Sequence, residues 1–172
     1  DDDGNDLETG EIGEVISKSK LNMKGYWNKP DATKESIVDG WFYSGDAGFF
    51  DEEGFLFIHD RVKDMIVSGG ENIYPAEVEN ALMSHDEILD AAVVGVPDEK
   101  WGESVKGFVV IGESSLSEEE IISYTRSQIA AYKCPKSIEF IKELPRNPSG
   151  KILRRELRDP YWEGIDRKVS GN

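Results

Sequence analysis

Cysteine and histidine are nearly absent from this sequence: its 172 residues include one cysteine, Cys134, and two histidines, His59 and His85. A single thiol rules out an internal disulfide and fits a reducing, cytoplasmic setting. Cys134 lies in Tyr132-Lys133-Cys134-Pro135 with no nearby histidine to serve as base, so it reads as a packed thiol, not a nucleophile. Neither histidine has metal-type spacing to the other or to the cysteine, so no metal site is expected. No apolar run approaches the length of a membrane span, and the acidic opening Asp1-Asp2-Asp3 is unlike a signal peptide. Basic residues are also scarce, with 20 Lys and Arg against 35 Asp and Glu and a formal net charge of −15. A field of that sign repels nucleic acid and anionic membrane surface and argues against both as partners. Anionic small molecules stay open, because local cations and backbone N–H groups bind them whatever the global charge.

What is present suffices for a globular chain with a real core. Apolar residues make up 38% before 17 glycines are added, and charged residues reach 32%, which implies a heavily solvated surface. The first third reads as β-rich and small, with short strands at 12–16, 41–43 and 55–58. A hairpin turn falls at Asp51-Glu52-Glu53-Gly54, and a short helix opens at Lys29-Pro30. It carries too little apolar surface to stand alone and is expected to be the last piece of a larger domain.

After Asp60 the texture changes. Met65-Ile66-Val67 runs as a strand into Ser68-Gly69-Gly70, and Pro75 opens a helix whose buried face holds Val78, Ala81 and Leu82. Residues 91–96 form an apolar strand closed by Pro97, and residues 105–111 form another. Ser117-Glu118-Glu119-Glu120 is a capping box for a helix with Ile121, Thr125 and Ile129 on one face. A last strand at 138–141 precedes the Pro145 to Gly150 loop and a short basic helix. The expected class is α+β, a small sheet with helices packed on it. The expected divisions are 1–60, 61–160 and a tail at 161–172.

Several side chains have plain readings taken singly. Asp46 follows a Ser-Gly turn; Arg61 fits a surface ion pair within Asp60-Arg61-Val62-Lys63-Asp64. Gly69-Gly70 is a tight turn, and Lys151 is a solvated lysine at a helix start. Ser149-Gly150-Lys151 is not an ATP P-loop, since the first glycine of that motif is missing.

Taken in order, these stretches resemble a known family. Tyr43-Ser44-Gly45-Asp46, Asp60-Arg61-Val62-Lys63-Asp64, the run Ser68-Gly69-Gly70-Glu71-Asn72-Ile73-Tyr74-Pro75-Ala76-Glu77, and the span from Glu143 through Lys151 to Leu157 are together similar to the C-terminal end of the acyl-adenylating superfamily. That superfamily includes acyl-CoA synthetases, luciferases and peptide-synthetase adenylation domains. The likeness runs from about Gly10 to Leu157, and the wording is most like fatty-acyl and medium-chain acyl-CoA synthetases, with aryl-CoA ligases close behind.

The resemblance implies roles residue by residue. Asp46 would bind the ribose hydroxyls and Arg61 the nucleotide, with Lys63 as the hinge between domains. Ser68, Gly69 and Gly70 would line the channel for the pantetheine arm, where side chains would obstruct a slender thiol. Lys151 would be the catalytic lysine that stabilises charge as a carboxylate attacks the α-phosphate of ATP. The prolines and glycine before it imply a mobile arm. Trp101, Tyr132 and Lys136 would meet CoA, the rings by stacking and the lysine through phosphate.

The implied cofactors are ATP, CoA and Mg²⁺. The family's Ser/Thr/Gly-rich phosphate loop, magnesium-binding glutamate and acyl pocket are not in this sequence. The expectation is therefore a C-terminal part, inactive alone, of a cytoplasmic AMP-forming acyl-CoA synthetase. Its partners would be small molecules and the missing N-terminal domain. Three alternatives stay open: a non-catalytic lid-like binding module, an aryl-CoA ligase, and a peptide-synthetase adenylation domain.

Overall fold

Turn residues and apolar runs divide the chain into two compact units, residues 1–63 and 64–172. A computed structural model describes residues 1, 3–113 and 115–165.

The first unit is a small antiparallel sheet with one short helix. Strand β1 is Gly13–Ser17, helix α1 Pro30–Ser36, β2 Ile37–Val38, β3 Trp41–Phe50 and β4 Leu56–Arg61. The long central strand β3 pairs with β1, β2 and β4. Proline opens α1, where its missing N–H forfeits no bond. The β3–β4 turn is fixed by Asp51, whose Oδ1 accepts from the amides of Glu53 (3.0 Å) and Phe55 (2.8 Å). β3 does not stop at Tyr43: Ser44, Gly45 and Asp46 continue the strand instead of leaving it in a turn. Apolar cover is thin. Among the described residues Ala47 is the one buried hydrophobic of this unit, while Phe50, Phe55, Leu56, Phe57 and Ile58 remain exposed.

The second unit has a complete core. Its strands are β5 Ile66–Ser68, β6 Glu71–Ile73, β7 Ile88–Asp98, β8 Gly102–Ile111 and β9 Ser137–Phe140. Its helices are α2 Pro75–Met83, α3 Glu118–Gln128 and α4 Arg154–Arg158. The sheet runs β6-β5-β8-β7, with β9 joined parallel to β8. Side chains alternate across it, so successive residues of β7 serve opposite faces. Ala91 and Val93 pack with Ile66, Val78, Leu82, Val105, Val109, Ile121 and Ile138 in one cluster. Ala92 and Val94 pack with Phe108 and Leu144 in the other, which Ile152 and Leu157 also cover. Burial on both faces is why these strands read as continuous apolar runs. Ser117 and Glu120 close a full capping box at the start of α3. Pro97 does not end β7; the ladder continues through Pro97↔Glu103 to Asp98↔Gly102. No helix among the described residues is long and apolar enough to cross a membrane.

Candidate functional site

In the first unit, Asp46 and Arg61 stand directly opposite each other in the β3–β4 ladder. The Arg61 guanidinium donates to Asp46 Oδ1. Both side chains stay open to solvent, at 48% for Arg61 and 32% for Asp46. The carboxylate is aimed by its own backbone. Gly45 takes a left-handed φ of 71°, which favours glycine. Its amide donates to Glu14 Oε1 at 2.9 Å. The Ser44 hydroxyl donates to the Val15 carbonyl at 2.7 Å and accepts from the Asp46 amide at 3.0 Å. A carboxylate and a guanidinium held side by side, exposed and oriented, form an arrangement suited to a vicinal diol and a phosphate oxygen. Lys63 lies in the 3-10 turn Val62–Asp64, at the end of this unit.

In the second unit, the hairpin turn has positive φ at both central residues, 64° at Gly69 and 89° at Gly70, the signature of a type I′ turn. It carries Trp101 with it. The Gly69 amide donates to the Trp101 carbonyl at 2.9 Å. A Cβ on Gly69 would sit 2.7 Å from Trp101 Cε3, so the absent side chain is what seats the indole. Lys136 Nζ lies 5.5 Å from the Trp101 ring centroid, and Lys100 Nζ, which sequence reasoning did not single out, lies 4.4 Å from it. Hairpin, indole and two cations thus form one surface, half-exposed at Trp101.

Asp98 organises that surface. It accepts from Lys136 Nζ at 2.9 Å and from the Lys100 and Trp101 amides, each at 3.0 Å. The Lys136 bond, then the Trp101 amide, hold its carboxyl below the usual range. Tyr132 lies on the separate 3-10 turn Ala131–Lys133. That turn is tied to α2 by Lys133, whose Nζ reaches both Glu77 oxygens at 2.7 Å. Burial works against the Lys133 charge, but the Glu77 contacts outweigh it and raise its pKa. Burial pushes the Cys134 thiol up, away from nucleophile character.

Lys151 is exposed, and among the described residues no hydrogen bond or ion pair engages its ammonium. Its loop is closed by hydrogen bonds. Asn147 and Lys151 are bonded across the turn, the Asn147 amide donating to the Lys151 carbonyl at 2.9 Å. Arg146 and Ile152 then pair as an antiparallel bridge. Beyond the turn, Arg154 of α4 forks onto Glu79 of α2 (Nε–Oε1 3.1 Å, Nη2–Oε2 2.7 Å), and its Nη1 lies 3.8 Å from Asp64. No group of three His, Cys, Asp or Glu able to hold a metal ion occurs among the described residues.

Comparison with known proteins points the same way as the resemblance in the sequence. The family model of the AMP-binding enzyme C-terminal domain matches residues 77–151. The fatty acid–[acyl-carrier-protein] ligase ScoC of Streptomyces coeruleorubidus is 49% identical over 171 residues, which cover 99% of this chain and 33% of that protein. The long-chain-fatty-acid–CoA ligase FadD13 of Mycobacterium tuberculosis is 49% identical over 160 residues, covering 93% and 32%. Among solved structures, the o-succinylbenzoate CoA synthetase of Bacillus subtilis, in complex with its acyl-adenylate intermediate, superposes with a TM-score of 0.83 at 43% identity. It covers 91% of this chain and 32% of its own. The chain spans about a third of the length of the relatives it matches. Residues 77–151 thus match the AMP-binding enzyme C-terminal domain, and nearly the whole chain is similar to about a third of proteins named as fatty acid ligases.

Proposed function

We propose that this chain forms part of an ATP-dependent, AMP-forming acyl-CoA synthetase that activates a fatty acid. The observation that carries the reading is Lys151: an exposed ammonium, without a partner among the described residues, on a turn closed by its own hydrogen bonds. A lysine so held has no structural duty of its own and is available to an incoming anion.

In the first half-reaction a carboxylate oxygen attacks the α-phosphorus of ATP, the bond from that phosphorus to the bridging oxygen breaks, and pyrophosphate leaves to give the acyl-adenylate. Lys151 neutralises the charge that builds on the acyl and phosphate oxygens. Asp46 takes the ribose hydroxyls and Arg61 the nucleotide, exchanging their mutual ion pair for ligand contacts. In the second, the second unit turns about Lys63 and presents Gly69 and Gly70 to the pantetheine arm. The thiol sulfur attacks the acyl carbon, the acyl–phosphate C–O bond breaks, and AMP leaves.

In this reading residues 1–60 complete the large adenylate-binding domain and 61–160 form the mobile lid. Of the tail at 161–172, residues 166–172 lie outside the described residues. Magnesium, in this reading, would be bound by a residue outside this chain, and no step above passes through it. ATP and CoA supply fits a cytoplasmic enzyme.

A second acceptor is supported by one finding: a relative named as an acyl-carrier-protein ligase matches as well as one named as a CoA ligase. The Trp101 surface separates the two. CoA brings an adenine for the indole and a nucleotide phosphate for Lys136 and Lys100, whereas a carrier protein brings a phosphopantetheine arm with no adenine.

The test uses the ligase that contains this chain. Lys151→Ala should lower acyl-dependent ATP–pyrophosphate exchange by about a hundredfold or more, the scale of losing one preorganised charge contact. It should leave thioester formation from supplied acyl-adenylate intact. Equal loss in both half-reactions would refute the division of labour.

A further inference from the structure

One side chain closes the turn that carries Lys151. Asn147 Oδ1 accepts from the Ser149 amide at 3.0 Å, the Ser149 hydroxyl at 2.8 Å and the Lys151 amide at 2.9 Å. Main-chain bonds run alongside: the Asn147 amide to the Lys151 carbonyl and the Gly150 amide to the Asn147 carbonyl, each 2.9 Å. A second device anchors the closed turn to the sheet. Arg146 donates one nitrogen to the Gly150 carbonyl at 2.7 Å and another to Asp90 Oδ2 on β7, also at 2.7 Å. Asp90 is 56 residues away in sequence and belongs to the central ladder of the unit.

The structure thereby assigns Asn147 as a positioning residue for Lys151, with the Arg146–Asp90 pair holding the turn it closes against β7. This rests on the reading of Lys151 as the adenylating lysine. A lysine ammonium stands on four rotatable bonds, and an unclosed loop beneath it would add the backbone freedom of several residues. Fixing the Lys151 backbone leaves only side-chain rotamers to search, which raises the fraction of time the ammonium is in reach of the reacting oxygens. The acceptor is the part of Asn147 that does this, since all three turn donors converge on its carbonyl oxygen. An aspartate in its place would keep an oxygen there; an alanine would not.

The experiment has two arms. In this chain, amide hydrogen exchange at Ser149 and Lys151 should speed up by about tenfold in Asn147→Ala, since each amide loses its acceptor, and return towards wild type in Asn147→Asp. In the ligase that contains this chain, Asn147→Ala should lower kcat for adenylation by about tenfold, with KM for ATP and thioester formation from supplied acyl-adenylate unchanged. Asn147→Asp should recover most of that rate. Asp90→Asn, which loosens the anchor and leaves the turn's own bonds, should show the same half-reaction selectivity at smaller size. Unchanged exchange in Asn147→Ala overturns the proposal, as does faster exchange with adenylation intact, or equal loss in both half-reactions. If Lys151→Ala itself leaves adenylation intact, the lysine reading fails. That result is separate, because the exchange arm still reports whether Asn147 holds the turn.

Discussion

Residues 64–172 bury apolar side chains on both faces of their sheet, in one cluster under α2 and α3 and another under Leu144, Ile152 and Leu157. Residues 1–63 form a sheet of comparable strand number, yet its β3–β4 ribbon leaves Phe50, Phe55, Leu56, Phe57 and Ile58 exposed. The difference shows how each unit fixes its chemistry. Trp101 and Lys151 are hung from elements rooted in a core, while Asp46 and Arg61 are oriented by the strand ladder and by backbone amides that donate to Glu14 and Ser44. A contiguous exposed apolar ribbon marks a surface that other protein covers.

The largest test of that contrast is to separate the units. Residues 64–172 alone should unfold in one cooperative transition and give a dispersed amide spectrum. Residues 1–63 alone should show neither, because a small sheet with little buried apolar surface cannot offset its conformational entropy. A cooperatively folded 1–63 would break the comparison.

Single truncations should show the same asymmetry at smaller scale. Leu82→Ala removes a fully buried side chain from the first cluster and should cost about 2–5 kcal/mol by denaturant titration. Phe55→Ala removes a larger side chain that is 63% exposed and should change stability by no more than about 0.5 kcal/mol. A comparable loss at both positions would mean that the ribbon is buried in solution.

Legibility in the sequence followed the same divide. The second unit's core strands were readable because burial on both faces leaves unbroken apolar runs such as Ala91 to Val94. β6 was not, since Glu71-Asn72-Ile73 carries one apolar residue and owes its pairing to the Gly69-Gly70 turn. In the first unit, Ser44-Gly45-Asp46 has turn chemistry, and what makes it strand comes from Val15 and Glu14, 29 and 31 residues away from their partners. At the Lys151 loop, Pro145, Pro148 and Gly150 mark a turn, while the Arg146–Asp90 bond that anchors it to β7 is non-local. Local motifs carried the candidate residues; long-range hydrogen bonds, which no short window contains, set how they are held. Asn147 was the exception that a window could have found, as an Asx acceptor heading Asn-Pro-Ser-Gly.

The two glycines of the hairpin sharpen the comparison within the core-rooted unit. Both have positive φ, so alanine at either is strained by about 1 kcal/mol or somewhat more. At Gly70 nothing lies within 4 Å of the added Cβ, so that strain should be the whole effect. At Gly69 the Cβ meets Trp101, and the indole must leave its seat. Gly69→Ala should therefore exceed Gly70→Ala by about 1 kcal/mol in unfolding, and it alone should shift the Trp101 indole N–H resonance. Equal effects would show that Trp101 is not seated on the glycine.

The smallest effect concerns how each unit holds a carboxylate beside a cation. Asp46 meets one guanidinium, whereas Asp98 accepts from Lys136 and from two backbone amides. The Lys136 bond and the amides favour the ionised form, so the folded pKa of Asp98 lies below its unfolded value. A depressed carboxyl contributes stability that is present above the unfolded pKa and lost as pH falls through the folded one. The Trp101 surface should therefore hold its geometry from neutral pH down past the ordinary Asp range and loosen only in stronger acid. Titration of the Asp98 side-chain carbon by NMR checks this: its midpoint should lie below that of exposed aspartates and move up in Lys136→Ala. Because the amides of Lys100 and Trp101 remain in that variant, the midpoint should stop short of the ordinary value. A midpoint indifferent to Lys136 would mean that the turn amides alone set the carboxylate. Lys136 would then be uncommitted at neutral pH and more available to a phosphate than its ion pair implies.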